Sequence, residues 1–587
     1  MLRRLSSSLP LIFALLIQIW ATACTTSAEP RCSSDSDCRN GFMCDLERFV
    51  GECVQIVEVE ACGEALCTLP EERCVEGQCR AVTPQADAGL VDGGPLTDGG
   101  VIDVADAEPG PPPMPQLFID SPAPDTRFID ARPVVTGTVI NLVSSGRLYF
   151  ILDDGVSGDL SPVDGRFEVA LDLPLGIHDI TIVAEQGTHR AEASVTFTLN
   201  GRVIRQGNRL TLGARPFRFL GFSAPGLLDG AWRDLYGDDD DEVAATFDAA
   251  KRLGVQVIRA RAYDDRPEAP SVIQRRPGDL SEEGLVALDH LIAEAERRGL
   301  KLWLVLSTYD GIYGSVDQYL KWAGYMFPEV SDRNRFFEAG EIREGFKAYV
   351  QAIVDRTNSV TGVRYGDDPT IMGWELMEGL SARGVFDSAG AGAELLDFVS
   401  DVTRHLDGLT EDQLIAVGDE GQDVDPQPYG LLADGLESAG LSNLLDGTFS
   451  VSWRRHVGLG PVSLAGLHLR PALLGFPAND AGETLGSIWL SGHSRVAAQA
   501  GRPTLLLNVQ VPSWDGLDLA SRREMLTTWL DEVVRREWSG AFVGGFHPEG
   551  RGGDDPNRWG MRPGTRPDDP ANVFADIVEA VAAELSL

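Results

Sequence analysis

Across residues 201–587, eight apolar runs alternate with amphipathic stretches. The runs are PFRFLGFS (216–223), VQVIRARAY (255–263), KLWLVLST (301–308), TIMGWELME (370–378), QLIAVGDE (413–420), SLAGLHLR (463–470), PTLLLNVQV (503–511) and AFVGGFHP (541–548). They are continuous rather than alternating in polarity, which is the pattern of strands covered on both faces. Between them the period changes to that of a helix. EEGLVALDHLIAEAERRG places apolar residues on one face, with Ser281 as N-cap and Gly299 as the stop, and EIREGFKAYVQAIVDRTN, AELLDFVSDVTRHLDG and RREMLTTWLDEVVRREW follow the same rule. Eight strand–helix units predict a (β/α)8 TIM barrel. A doubly wound open sheet is the alternative. It calls for a glycine-rich phosphate turn after its first strand, and GFSAPGLLDG does not match one.

Upstream the pattern is different. Residues 117–200 contain short alternating segments (LFIDSP, PVVTGTVI, GRLYFILDDG, GRFEVALDLP, HDITIVAEQG, RAEASVTFTL) separated by turn residues. They predict a small antiparallel sandwich, and the stretch resembles the immunoglobulin-like modules of exported bacterial proteins. Residues 81–116 are dense in Pro, Gly, Asp and Ala and read as a linker, since such a segment cannot bury enough apolar surface to fold. Residues 24–80 hold every cysteine of the chain. Cys32, Cys38, Cys44, Cys53, Cys62, Cys67, Cys74 and Cys79 predict a disulfide-rich region of two four-cysteine modules, each open to three pairings. Zinc is the competing use, against which stands the lack of close C-x-x-C pairs. The first 23 residues read as an export signal, with Arg3 and Arg4 ahead of an apolar run at 9–20. The run is short for a membrane span. The ATAC ending resembles a bacterial lipobox, which implies a lipidated Cys24 and a chain attached to the cell envelope by a lipid anchor, facing periplasm or exterior; an ordinary cleaved signal is the alternative.

Charge narrows the partner. The formal net charge is −39, which opposes nucleic-acid binding and suits a neutral polysaccharide. The acidic run at 238–242 reads as a solvated helix start. Nothing in the chain implies a metal or an organic cofactor.

In a barrel, chemistry gathers where strands end. The strand ends here carry Arg259, Arg261 and Tyr263; Ser307, Thr308 and Tyr309; Trp374, Glu375, Met377 and Glu378; Asp419 and Glu420; His468 and Arg470; Asn508 and Gln510; and Phe546, His547 and Glu549. These stretches resemble glycoside hydrolase family 5, in particular its endo-β-1,4-mannanases. RPFRFLGFS, LGVQVIRARAYDD, YGSVDQYLKWAG, FKAYVQAIVDRTNSVTGVRYGDDPTIMGWELMEG, VGDEG, VSLAGLHLR and IWLSGHSRVAAQAGRPTLLL follow the family's order over nearly the whole C-terminal region.

The resemblance implies a retaining hydrolysis in which one carboxyl group protonates the leaving oxygen and a second attacks the anomeric carbon. Glu378 matches the acid/base, Arg259 the arginine that supports the nucleophile, and His468 the subsite histidine. Trp374 and His547 are further candidates for substrate binding. Arg261 stands where mannanases carry a tryptophan, and Met377 where the residue before the acid is an asparagine. Asn508 occupies the nucleophile position, and an amide has no useful nucleophilicity there. Asp515 and Glu549 are the candidate replacement carboxylates, and a wide separation from Glu378 would make the reaction inverting. The expectation is therefore a protein that recognises a β-mannan-like polysaccharide with weak or lost hydrolysis. An active endo-β-1,4-mannosidase with a rewired carboxylate pair and a structural surface lipoprotein are the alternatives.

Overall fold

The computed structural model describes residues 113–129, 132–153, 155–237, 241–309, 311–382, 392–511, 517–545 and 574–586, with short strand segments between 42 and 81. Those segments pair as three antiparallel ribbons, Phe42–Asp45 with Glu52–Gln55, Val59–Cys62 with Ala65–Thr68, and Glu72–Val75 with Gln78–Ala81. Their register sets Cys44 opposite Cys53 and Cys74 opposite Cys79. Cys24, Cys32 and Cys38 lie outside the described residues.

Gln116–Asn200 forms two antiparallel-rich sheets. One has five strands, ordered Val156–Leu160, Arg147–Leu152, Gly176–Gln186, His189–Asn200 and Thr126–Ile129; the other has three, ordered Arg166–Ala170, Val134–Ile140 and Gln116–Ser121. Alternation decides which side chains enter. Along Val134–Ile140, Val135 and Val139 are buried while their neighbours face out, and they meet Leu148, Phe167, Ile180, Ile182 and Phe197 from the facing strands.

The C-terminal region is the expected barrel. Its strands are β1 (Phe219–Ser223), β2 (Val257–Arg261), β3 (Lys301–Val305), β4 (Ile371–Glu375), β5 (Leu414–Ala416), β6 (Ala465–Leu469), β7 (Thr504–Val509) and β8 (Gly540–Gly544). All pair in parallel, in sequence order, with β8 beside β1. Across the β5–β6 seam the ladder is reduced to single bonds, Ser463 N to Ile415 O at 2.8 Å and His468 N to Asp419 O at 3.0 Å. Every residue of these strands is buried, which is why their sequences show no alternation.

Inside, the lower barrel is filled by Phe219, Val257, Trp303, Met372, Leu414, Leu505, Leu507 and Phe542. Glycines make room for the larger rings: a Cβ on Gly221 would lie 2.4 Å from Phe542, and one on Gly373 2.5 Å from Trp303. Outside, helices such as Glu282–Arg297, Glu341–Val354, Ala393–Asp407, Asp480–Gln499 and Leu519–Arg535 cover the strands with their apolar faces. Ser281 does precede the first of these, but its hydroxyl makes no capping bond; Gly299 follows it with φ +67°. A Cβ on Gly299 would also fall 2.0 Å from the carbonyl of Leu175, so this glycine admits the sandwich loop as well as ending the helix.

Candidate functional site

Glu375 is the last residue of β4, and its side chain sits on top of the packed interior with no solvent exposure. A carboxylate there must be compensated. Arg259, from the middle of β2, supplies two bonds in a fork, Nε to Oε2 at 2.7 Å and Nη2 to Oε1 at 2.8 Å. His468 of β6 adds Nε2 at 3.0 Å from Oε1, and Trp303 donates its indole N–H to Oε2 at 3.2 Å. Burial by itself would raise the Glu375 pKa, but the charges of Arg259 and His468 outweigh it and hold the carboxyl well below its ordinary range.

Glu378 lies one step higher. Its backbone is locked against the end of β3: its N–H donates to Ser307 O at 2.9 Å, and its carbonyl accepts from Tyr309 N at 2.9 Å. The side chain is 19% exposed. One oxygen accepts from Arg259 Nη2 at 3.0 Å and the other from Arg470 Nη1 at 3.3 Å. Arg470 turns its remaining edge to Glu420, with Nε 2.7 Å from Oε1 and Nη2 also on that oxygen. The strand ends therefore carry one chain of charges, Glu375–Arg259–Glu378–Arg470–Glu420. Burial would again raise the Glu378 pKa; Arg259 and then Arg470 overcome it, and the net direction is down.

Above this chain opens a cavity of about 370 Å³. Arg259, Arg261, Arg470, Glu378, Thr308 and Gln510 supply its polar groups, and Ala260, Tyr263, Val305, Ile312, Tyr313 and Leu473 are among its apolar walls. Arg261 is braced on several sides: it donates to the carbonyls of Pro225 and Tyr263, pairs with Asp264 at 2.9 Å and Asp229 at 2.7 Å, and lies 4.0 Å over the ring of Tyr313. It thus forms the cavity wall as a braced cation. Among the described residues, no group of three or more His, Cys, Asp or Glu side chains is arranged to hold a metal ion.

The expected site residues that the structure describes separate into three sets. Arg259, Arg261 and Glu378 face the cavity. His468 and Asn508 are buried beneath it and do not line it. Asn508 stands opposite His468 at an irregularity of the β6–β7 ladder, and its Oδ1 has no hydrogen-bond partner among the described residues. That oxygen occupies space left by Gly544 of β8, where a Cβ would lie 2.2 Å away.

Trp374 and Met377 correct the sequence reading. Trp374 was expected at the substrate and Met377 in the sugar-contacting position before the acid, yet both are fully buried and absent from the cavity wall. Trp374 points away from Glu375 by strand alternation and spends its indole N–H on Gln413 at 2.7 Å. Met377 follows the end of β4, where Leu376 N and Met377 N bond to Ala416 O and Val417 O, and its side chain packs in the main core. His547, Asp515 and Glu549 lie outside the described residues.

Sequence reading assigned no role to Glu375, Glu420 and Arg470. A signal was present: a glutamate inside a continuous apolar strand requires a counter-charge, and Arg259 stands in an equally apolar strand.

Comparison with known proteins bears on the family and the fold of the barrel. A profile described as glycoside hydrolase family 5 β-mannosidase-like matches residues 203–428, a stretch that includes Glu378 and ends before Asn508. The chain is 33% identical over 232 residues to Mannan endo-1,4-beta-mannosidase 2 of Oryza sativa subsp. japonica, covering 39% of this chain and 49% of that protein. It is 31% identical over 358 residues to Mannan endo-1,4-beta-mannosidase 4 of the same plant, covering 59% of this chain and 72% of the relative. With Mannan endo-1,4-beta-mannosidase 5 of Arabidopsis thaliana the match spans 58% of the relative, so several of these proteins are matched over only about half their length. Among solved structures, the endo-β-1,4-mannanase of Thermotoga petrophila superposes with a TM-score of 0.53 at 24% identity, over 63% of this chain and 77% of that one. The endo-1,4-β-mannanase of Rhizomucor miehei gives 0.54 at 20% identity, over 66% and 100%. These two likenesses concern the fold. Sequence and fold together show that, through its C-terminal barrel, the chain belongs to the β-mannosidase-like proteins of glycoside hydrolase family 5.

Proposed function

We propose that the barrel binds a β-mannan-like polysaccharide in the cavity over Glu378 and hydrolyses it weakly or not at all. The observation that carries this reading is that both oxygens of Glu378 are held by arginines, Arg259 at 3.0 Å and Arg470 at 3.3 Å. A general acid must hold a proton at working pH, which needs a raised pKa. Arg259 and Arg470 press the other way and favour the carboxylate. Asn508 adds to the argument, because an amide at the nucleophile position cannot form a glycosyl-enzyme. Recognition needs neither step. An ionised Glu378 accepts hydrogen bonds from sugar hydroxyls, Gln510 both donates and accepts, and the apolar walls suit the faces of sugar rings.

The test is to incubate the full chain with β-mannans and count new reducing ends beside a Glu378→Gln control, while measuring retardation in a mannan-containing gel. Retardation without release above the control is expected. Release that vanishes in the control would replace this reading with an active, rewired mannosidase. Absence of both retardation and release would leave the structural surface protein.

A further inference from the structure

His493 is a fully buried imidazole on the helix Asp480–Gln499, behind the charge chain of the site. Its Nε2 is 2.7 Å from the carbonyl of Gly421, and its Nδ1 is 2.8 Å from the carbonyl of Trp489, one turn earlier on its own helix. A carbonyl oxygen only accepts. Each contact therefore needs a ring N–H, and only the imidazolium has two. The surroundings suit a cation: the rings of Trp489, Trp453 and Tyr429 lie 4.4, 4.7 and 5.1 Å away between centroids.

Gly421 is the residue after Glu420, whose carboxylate grips Arg470. Its φ of +97° belongs to the region that favours glycine, and a Cβ there would meet His493 Nε2 at 2.7 Å. The end of β5 is thus brought directly against the ring.

We propose that His493 is a positioning residue, whose imidazolium bridges the carbonyls of Gly421 and Trp489 and thereby sets Glu420, Arg470 and the orientation of Glu378. Loss of one ring proton leaves two lone pairs facing each other at under 3 Å. The ring then turns, and the segment carrying Glu420 shifts with it.

The groups that bear on this proton come from each packed element. Asp423, just beyond Gly421, favours the cation; its carboxylate takes the Tyr429 hydroxyl at 2.7 Å and the Arg454 N–H at 3.0 Å. The cations on these elements are Arg454 on the helix Trp453–Val457 and Arg495 on the same helix as His493, which donates to the Tyr429 carbonyl. Asp419 is occupied by His456 at 2.9 Å. Burial is the largest influence and lowers the His493 pKa, against the pull of the two carbonyls and Asp423. The bridge is therefore complete at acid pH and is released as the pH rises toward neutrality.

The test follows the histidine ring nitrogens and the arginine Nε–H groups of the full chain, labelled with 15N-histidine and 15N-arginine, from about pH 4 to about pH 8. His493→Gln assigns the signal, and Arg470→Lys assigns the Arg470 Nε–H resonance. We expect two ring N–H groups on His493 at the acid end, loss of one proton below neutrality, and an Arg470 resonance that moves along the same curve. In His493→Gln, whose amide donates to the Gly421 carbonyl without titrating, the Arg470 curve flattens. A neutral His493 ring throughout, or an Arg470 resonance indifferent to its titration, overturns the proposal. The inference rests on the proposed function only for the use of Glu378. No glycan enters this readout, so a failure to bind mannan would strike the functional reading alone.

Discussion

At the scale of single residues, burial decides what each polar group can do. Met377 shows it most simply. Its place before Glu378 invites replacement by asparagine to rebuild a sugar contact, but its side chain is enclosed by the core. Met377→Asn is expected to cost roughly 1–3 kcal/mol through an unpartnered buried amide and to leave mannan hydrolysis where it was. Urea denaturation beside the reducing-end assay checks both halves; a gain in release would return Met377 to the cleft. Asp265 makes the same point through pH. It is 2% exposed, its Oδ1 has no partner among the described residues, and its other oxygen accepts from Ser315 N at 3.1 Å. Burial pushes its pKa from 3.8 to about 8. Between those values the unfolded chain has released this proton and the folded chain still holds it, so Asp265 lowers stability progressively as pH rises from 3.8 to about 8. Asp265→Asn keeps an acceptor for Ser315 and removes the titration. Its advantage over the natural chain should grow through that window to about 6 kcal/mol. An advantage that stays constant with pH would count against the assignment.

At the scale of elements, the ends of β7 and β8 are built as a pair. Asn508 Oδ1 and Gln510 Cγ lie 2.2 and 2.4 Å from the point where Gly544 would carry a Cβ. Gly544→Ala should therefore displace both side chains and cost about 1–3 kcal/mol by overpacking. In an Asn508→Ala background much of that cost should disappear, because the nearest obstructing atom is gone. A double-mutant cycle from denaturant midpoints reads the coupling, and simple additivity would show that the strands relax independently. The element scale is also where the sequence was most legible. Eight continuous apolar runs are what a sheet covered on both faces requires, and all eight became barrel strands. Trp374 was misplaced because a buried strand hides its alternation: with both faces apolar, the inward and outward positions look alike until the barrel closes.

At the scale of the whole molecule, the sandwich and the barrel share buried polar contacts. Lys301, at the start of β3, is 1% exposed and donates to Asn200 Oδ1, Gly201 O and Pro369 O, joining the last sandwich strand to the barrel base. Arg127 reaches from the sandwich to Thr361 O at 2.5 Å and to Glu296 at 3.2 Å. Lys301→Met removes three donated bonds at once and should cost about 3 kcal/mol. Calorimetry is expected to show the sandwich and barrel melting together in the natural chain and separating in the variant. Two transitions already present in the natural chain would mean that the seam carries little cooperativity.

What the sequence determined by itself is what depends on local pattern. Unbroken apolar runs specify buried strands, period-two segments specify a sandwich, and the order of motifs specifies the family. The identity of residue 508 is equally a fact of sequence, and an amide is a poor nucleophile wherever the fold places it. Only the tertiary structure decided which charges meet. Glu375, Arg259, Glu378, Arg470 and Glu420 come from or just after four different strands, far apart along the chain, and their pairing depends on barrel closure. That pairing, rather than the presence of a glutamate at 378, sets the protonation of the candidate acid, because a carboxyl group's pKa follows the charges and solvent around it and not its place in a motif.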